Sequence, residues 1–185
     1  MRIITGLYKG RNLTTVPDLT VRPATERVRQ TLFNMLVNRI DLQGIDVLDL
    51  FAGSGSLGFE ALSRGARHVV FVERDPDALR HLEVNASALG CTEAVDILSD
   101  DALRYVRSTK ETFTLVFADP PYAFEETPSI PAEIFSRSIV QAEGYLLIEH
   151  PGTVRFAASS LYNAGPEKKF GRTHVTFFQP QKAHS

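Results

Sequence analysis

At 185 residues the chain is long enough to fold as one domain with a substantial core, and its 43% hydrophobic and 23% charged residues are typical of a globular protein. Its single cysteine, Cys91, excludes an intramolecular disulfide, and five scattered histidines lack ligand spacing, so no metal is expected. No apolar run reaches the roughly 20 residues that span a bilayer, and the first residues lack a signal-peptide core, which predicts a cytoplasmic protein without membrane contact.

The net charge of −2 conceals an uneven distribution of charged residues. Residues 1–40 contain seven Lys and Arg against two acidic residues, a net charge of +5, and the remainder carries −7. A basic N-terminal section favours contact with phosphates, although a solvated charged face explains the same charges equally well. We therefore predict a single domain, residues 1–185, in which residues 1–24 form a basic extension.

A hairpin and a helix are the first predicted elements. Short β-prone runs around Gly6 and Gly10 predict a small β-hairpin over residues 2–16. The stretch ATERVRQTLFNMLVNRI then has apolar residues at helical spacing up to Ile40, and Thr25 is placed to cap this helix.

Short apolar runs alternate with amphipathic stretches through the rest of the chain. The runs are IDVLDLF, HVVFVE, AVDIL, FTLVFAD and GYLLIEH. Between them, DPDALRHLEVNASALG has Asp75 at an N-cap and Gly90 beyond its end, and DALRYVRS is opened by Asp100 or Asp101. The tail contains strand-like HVTFF after a glycine turn. The pattern predicts an α/β class, with a Rossmann-like, doubly wound, mostly parallel sheet and an antiparallel C-terminal hairpin.

The stretch DLFAGSGSLG, residues 49–58, places glycines in the spacing G-x-G-x-x-G between a predicted strand and a helix. This spacing suits nicotinamide dinucleotides and adenosyl nucleosides alike, and Glu73 at the end of the next strand is placed to bind the ribose of either. Asp49 is more selective, because a carboxylate beside the turn repels a pyrophosphate and suits the ammonium and sulfonium of S-adenosylmethionine. That argument fails if Asp49 points into the helices. A tight turn without a ligand is the alternative.

The tetrapeptide Asp119, Pro120, Pro121, Tyr122 follows the predicted strand FTLVFA. Its prolines remove two backbone donors and stiffen the loop, so the Asp119 carboxylate and the Pro120 carbonyl form an acceptor pair. The amino group of a nucleobase presents two matching N–H donors, and the Tyr122 ring can stack on a base removed from its helix. The tetrapeptide does not distinguish guanine N2 from adenine N6 or cytosine N4. A rigid turn with a core tyrosine is the alternative.

In this order, DLFAGSGSLG, VFVERD, SDDAL and DPPY resemble the motifs of class I S-adenosylmethionine-dependent amino-methyltransferases. MRIITGLYKGRNL and VRPATERVRQTLFNML are similar to the small bacterial enzymes of the RsmD type, which methylate N2 of a guanine in small-subunit ribosomal RNA. The resemblance implies that the cofactor is S-adenosyl-L-methionine, bound by Asp49, Phe51, Ala52, Gly53, Ser54, Gly55, Glu73, Arg74, Asp101 and Ala102. It implies a catalytic set of Asp119, Pro120, Pro121 and Tyr122, and RNA contacts from Arg11, Arg22, Pro23, Thr25 and Arg29.

The implied partner is ribosomal RNA or a small-subunit ribosomal particle, and we expect a monomer. Either Asp100 or Asp101 meets the adenine, and the other is only a helix cap. An amino-methyltransferase acting on adenine N6 in RNA or DNA is the first alternative. An NAD-dependent oxidoreductase explains the glycines and Glu73 but gives Asp-Pro-Pro-Tyr no role, and a non-catalytic RNA-binding protein explains only the basic section.

Overall fold

The computed structural model describes residues 1–15 and 24–182, with only the backbone of residues 24 and 25. Its seven strands are β1 (Asp46–Leu50), β2 (His68–Glu73), β3 (Val95–Ser99), β4 (Phe113–Ala118), β5 (Val140–Pro151), β6 (Tyr162–Phe170) and β7 (Thr173–Pro180). They form one sheet in the order β3-β2-β1-β4-β5-β7-β6. The first five are parallel, and β7 is antiparallel to both of its neighbours. The predicted α/β class and C-terminal hairpin are confirmed.

Five α-helices accompany the sheet in the described part of the chain: α1 (Ala24–Leu36), α2 (Ser56–Ser63), α3 (Pro76–Leu89), α4 (Ala102–Ser108) and α5 (Ile130–Phe135). Helix α3 has the predicted ends. Asp75 accepts hydrogen bonds from the backbone N–H groups of Asp77 and Ala78, and Gly90 takes the left-handed conformation at the other end, with φ 71°.

Two hydrophobic clusters cover the two faces of the sheet. Alternate residues of the central strands contribute to opposite clusters, as strand geometry requires. Val47 and Phe117 belong to the cluster that contains residues of α1, α2 and α3, whereas Leu48 and Val116 belong to the one that contains residues of α4 and α5. Because both faces are covered, these strands appear in the sequence as continuous apolar runs.

Three elements differ from the prediction. The Arg39 N–H donates to the Leu36 carbonyl at 2.8 Å, so the chain tightens after α1 and the helix ends before Ile40. The N-terminal hairpin has a single bridge, between Arg2 and Asn12, rather than two strands. Helix α5 was not predicted, because it is short and carries a proline near its start, with a 3₁₀ turn before it.

The buried Glu60 of α2 attaches the N-terminal segment to the sheet. Its two carboxylate oxygens accept hydrogen bonds from the backbone N–H groups of Ile4 at 2.8 Å and Thr5 at 3.1 Å. The same carboxylate lies 2.8 Å from Arg64 Nε and 3.7 Å from Arg29 Nε. All three charged side chains are at most 9% exposed, so this cluster is part of the core.

Candidate functional site

A cavity of about 700 Å³ opens at the carboxyl ends of the parallel strands. It lies around the junction of β1 and β4, where the strand order reverses, which is the position at which doubly wound sheets bind ligands. The residues predicted from the sequence that line it are Arg29, Phe51, Ala52, Gly53, Ser54, Glu73, Arg74, Asp101, Ala102, Asp119, Pro120, Pro121 and Tyr122. The cavity therefore brings together the glycine loop, the end of β2, the start of α4 and the Asp-Pro-Pro-Tyr loop.

The glycine loop is held in a tight, left-handed path. Phe51 has φ 58°, a conformation that costs a non-glycine residue of order 1–3 kcal/mol, and its ring packs edge-on against Phe124 with centroids 5.2 Å apart. Gly53 has φ 55°, and no atom of the described residues beyond its chain neighbours lies within 4 Å of the place where its Cβ would stand. The loop therefore leaves open space for a ligand beside Gly53.

Gly58, the third glycine of the motif, serves packing rather than ligand binding. A Cβ at this position would lie 2.3 Å from a ring carbon of Phe71. Glycine here lets α2 approach β2 closely, as the last glycine of such loops does in dinucleotide-binding folds.

Asp49 occupies a different position from the one that its proposed cofactor role requires. Its side chain is 2% exposed and does not line the cavity, and its Oδ2 accepts a hydrogen bond from the Gly58 N–H at 2.9 Å. Burial raises the pKa of Asp49 well above its usual value, and the nearby Asp119 and Glu73 raise it further. Asp49 thus caps α2, whose N-cap residue Gly55 has no side chain, and the charge argument made from the sequence does not hold.

The carboxylate of Glu73 joins the end of β2 to the glycine loop. Glu73 Oε2 accepts a hydrogen bond from the Gly53 N–H at 2.8 Å, and Oε1 accepts from the N–H groups of Arg74 at 2.8 Å and Asp75 at 2.9 Å. Since a carboxylate has about four lone-pair sites, Glu73 retains the capacity to accept a further hydrogen bond from a ligand. Arg74 Nη1 lies 3.8 Å from Asp101 Oδ2 across the rim.

Asp100 and Asp101 both line the cavity, and one of them caps α4. Asp101 Oδ1 accepts hydrogen bonds from the N–H groups of Leu103 at 3.1 Å and Arg104 at 3.0 Å. Asp100 Oδ1 accepts from the Asp101 N–H at 2.6 Å and contacts the Arg104 guanidinium. Asp101 is therefore the helix cap, and Ala102 begins the helix beside it.

The Asp-Pro-Pro-Tyr loop carries its polar groups at the cavity. The surrounding protein strips water from the Asp119 carboxyl and raises its pKa to about 6, although the side chain remains open to the cavity. The Pro121 carbonyl accepts from the Phe124 N–H at 2.8 Å, whereas no backbone donor of the described residues bonds to the Pro120 carbonyl. The Tyr122 side chain is 49% exposed, and its hydroxyl is hydrogen-bonded to Thr173 Oγ1 on β7.

Glu149 lines the same cavity and was not singled out from the sequence. It ends the apolar run YLLI of β5 in the way that Glu73 ends β2 and Asp119 follows β4, which was the available signal. Burial raises the pKa of Glu149 to about 8, and the negative charge of Asp119 contributes. Glu149 and Asp119 are thus two neighbouring carboxyl groups with raised pKa values.

The residues predicted to contact RNA either bind other parts of the protein or lie outside the described residues. Arg29 is 3% exposed, and its guanidinium is directed to Glu60 and to the carbonyl of Arg2. Arg11 donates to the Ala88 carbonyl on α3 and does not line the cavity. Arg22, Pro23 and the side chain of Thr25, including its predicted cap, lie outside the described residues. Within those residues no cluster of three or more His, Cys, Asp or Glu is placed to hold a metal, and no helix is long and apolar enough to cross a membrane.

The antiparallel β7 separates this sheet from the classic dinucleotide-binding fold, in which the sixth strand continues the parallel order. Together with an acceptor loop after β4, this strand order is that of the class I methyltransferases. Residues 1–179 match the family described as conserved hypothetical protein 95. The chain belongs to this family, the RsmD-type methyltransferases.

Individual relatives agree with this assignment. The chain is 38% identical over 153 residues to the Bacillus subtilis protein named "Putative rRNA methyltransferase YlbH", an alignment that covers 81% of this chain and 82% of the relative. It is 41% identical over 127 residues to "Ribosomal RNA small subunit methyltransferase D" of Haemophilus influenzae, covering 67% of this chain and 65% of that protein. The solved structure titled "Putative methyltransferase yhhF from Escherichia coli" superimposes with a TM-score of 0.81 at 30% identity, over 99% of each chain. The chain is therefore a methyltransferase.

Proposed function

We propose that this protein transfers a methyl group from S-adenosyl-L-methionine to the exocyclic N2 amine of a guanine in small-subunit ribosomal RNA. The observation that carries the proposal is the acceptor pair of Asp119 and Pro120, which lines the same cavity as the glycine loop. The printed names of the relatives support ribosomal RNA as the substrate class. We also propose that the protein acts as a monomer.

The described residues fit an adenosyl cofactor better than a dinucleotide. A pyrophosphate would normally take the free N–H groups at the start of α2, but the Asp49 carboxylate already accepts the N–H of Gly58 there. The open space beside Gly53 and the spare acceptor capacity of Glu73 suit a sugar edge. Asp100, Asp101 and Ala102 would then lie beside the adenine. When bound, S-adenosylmethionine supplies an electrophilic methyl group on a sulfonium.

The substrate amine would be held and oriented by the Asp-Pro-Pro-Tyr loop. The Asp119 carboxylate and Pro120 carbonyl accept one N–H each, so the nitrogen lone pair is directed away from the loop. Orientation of two bound reactants can supply about 7 to 11 kcal/mol of the barrier, and no covalent nucleophile is required. Asp119, ionised above pH of about 6, can also take the proton that the amine loses. Tyr122 at the cavity wall offers a ring on which the base can stack.

The exposed cations of the β6–β7 hairpin, whose turn borders the cavity, favour RNA contact from this hairpin. Phe170 and Thr173, on either side of the hairpin turn, line the cavity, and Arg172 is exposed in the turn between them. Lys168 and Lys169 on the edge strand β6 are also exposed. We place a phosphate contact at this turn rather than at Arg29, because the guanidinium of Arg29 is buried.

Transfer of a labelled methyl group from S-adenosylmethionine to small-subunit ribosomal RNA tests the proposal, with naked RNA and a partly assembled particle as parallel substrates. We expect label in the RNA in at least one of the two. Calorimetric titrations with S-adenosylmethionine and with NAD test the cofactor separately. Tighter binding of NAD, or an absence of label from both substrates, would contradict the proposed function.

A further inference from the structure

We propose that Glu149 reads the base: its carboxyl group accepts a hydrogen bond from the ring N1–H of the guanine whose amino group is held by Asp119 and Pro120. The inference rests on the proposed function, which supplies the amine in the acceptor loop. It adds a subsite for the edge of the base and a residue that determines which base is accepted.

The register of the sheet places the two carboxyl groups side by side. Strands β4 and β5 are parallel, and Ala118 pairs with Ile148. The next residues, Asp119 directly after β4 and Glu149 within β5, therefore stand at the same level at the carboxyl edge. Both side chains line the same cavity.

Glu149 is placed to serve a ligand rather than the fold. Within the described residues, its carboxyl group has no hydrogen-bond or ion-pair partner, in contrast to Glu73, which accepts three backbone N–H groups. A partly buried carboxyl group beside a second one is costly unless a donor is brought to it. A donor on the substrate would relieve that cost.

Two adjacent acceptors match one base better than the others. Guanine presents N1–H and the N2 amino group as neighbouring donors on one edge. Adenine and cytosine present their amino group beside a ring nitrogen that is an acceptor. Either form of the Glu149 carboxyl group can accept from guanine N1–H, but only the ionised form, favoured above its pKa of about 8, repels the lone pair of that ring nitrogen. Selection for guanine among the amines that Asp119 and Pro120 alone cannot distinguish should therefore strengthen as the pH rises through that value.

Atom replacement in the substrate provides the test. The methylated nucleotide is first located in the labelled RNA by mass spectrometry, and a fragment is synthesised with either guanosine or 2-aminopurine riboside at that position. 2-Aminopurine keeps the amino group but has no N1–H. Methyl-transfer kcat/KM is measured on both fragments for the wild type and for Glu149→Gln. Glu143→Gln, on the exposed part of β5 beside Lys182, is the matched control.

At a pH of about 9, where Glu149 is ionised, we expect the wild-type kcat/KM to fall about 10- to 100-fold on 2-aminopurine, the range for a hydrogen bond to a charged group. Glu149→Gln should lose a similar factor on guanosine and much less on 2-aminopurine, so that the ratio between the probes moves toward one. Glu143→Gln should keep the wild-type ratio.

Three results would overturn the inference. An equal kcat/KM of the wild type on the two fragments would do so, and this result does not depend on whether Glu149→Gln folds. An equal loss of kcat/KM by Glu149→Gln on both fragments would do so as well. Methylated adenosine or cytidine as the natural product would also do so, because those bases have no ring N–H beside the amino group. An absence of any labelled RNA is a different result, because it contradicts the proposed function itself.

Discussion

Asp119 is open to the cavity, yet the protein around it removes much of the hydration of its carboxyl group, and this combination makes its protonation state measurable in the rate. Because loss of hydration raises its pKa to about 6, the carboxylate is ionised at neutral pH and becomes protonated as the pH falls through that value. Protonation removes an acceptor for the amine. The residue is thus a good acceptor at neutral pH and a poor one in mild acid.

We expect the methyl-transfer rate to decrease about tenfold for each pH unit below about 6. A pH–rate profile under single-turnover conditions measures this, with cofactor binding followed by calorimetry over the same pH range. The decrease should persist in Glu149→Gln, since loss of hydration is the cause of the raised pKa of Asp119. A rate that stays constant down to pH of about 5 would show that ionised Asp119 is not required.

Glu60 connects the N-terminal segment, α1 and α2 through one buried carboxylate. Glu60→Ala leaves Arg29 and Arg64 without their shared counter-ion and two backbone donors of the N-terminal segment without an acceptor. We expect the free energy of unfolding to decrease by about 3 to 5 kcal/mol, as for a broken buried ion pair. Urea denaturation measures this change.

Glu111→Ala, at an exposed position before β4, is the control for Glu60→Ala. Its effect should stay within about 0.5 kcal/mol. Equal, small losses in both variants would mean that the buried cluster does not attach the N-terminal segment.

At the scale of elements, the contact between α2 and β2 depends on Gly58. Helix propensity alone predicts that Gly58→Ala stabilises α2 by about 1 kcal/mol. The added Cβ would stand 2.3 Å from the Phe71 ring, however, and forcing it into the core costs about 1 to 3 kcal/mol. We therefore expect a net loss of stability in thermal and urea denaturation. Ser87→Ala on the exposed side of α3 should be nearly neutral, and a Gly58→Ala variant more stable than the wild type would contradict the close packing.

The β6–β7 turn is the element that we expect to contact the RNA backbone. Arg172→Glu should weaken RNA binding and reduce the slope of log K against log salt by about 1, the effect of one lost phosphate contact. Lys110→Glu makes the same charge change before β4, at the opposite edge of the sheet from the cavity. Binding titrations at several salt concentrations compare the two variants. Equal slopes of log K against log salt would show that the turn does not contact the RNA.

Across the whole molecule, buried periodic segments were predictable and tertiary partners were not. Strand β2 coincides with the run HVVFVE, because a strand covered on both faces has no polar interruption. Helix α5 was not predicted because its short, proline-containing sequence shows no clear helical spacing of apolar residues. Arg29 resembles a free cation in the sequence, since nothing there shows that Glu60 lies opposite to it in the fold.

The candidate site also has residues whose position was predictable from the sequence and a residue whose position was not. Gly53, Glu73 and Asp119 come together as predicted, because the carboxyl ends of parallel strands meet at one edge. Asp49 also precedes the glycine loop, but it alternates with Leu48 and Leu50 along β1, and its side chain lies beneath α2 instead of in the cavity. Alternation along the strand determines this difference, and the motif alone does not show it.

The central claim is that this cavity methylates the amino group of a guanine in RNA, and the identity of the product tests it most directly. Small-subunit ribosomal RNA is incubated with labelled S-adenosylmethionine and the wild type or Asp119→Ala, digested to nucleosides and separated by liquid chromatography with mass detection. We predict N2-methylguanosine from the wild type and none from Asp119→Ala, with cofactor binding by the variant nearly unchanged. Methylated adenosine, or equal product from both proteins, would contradict the claim.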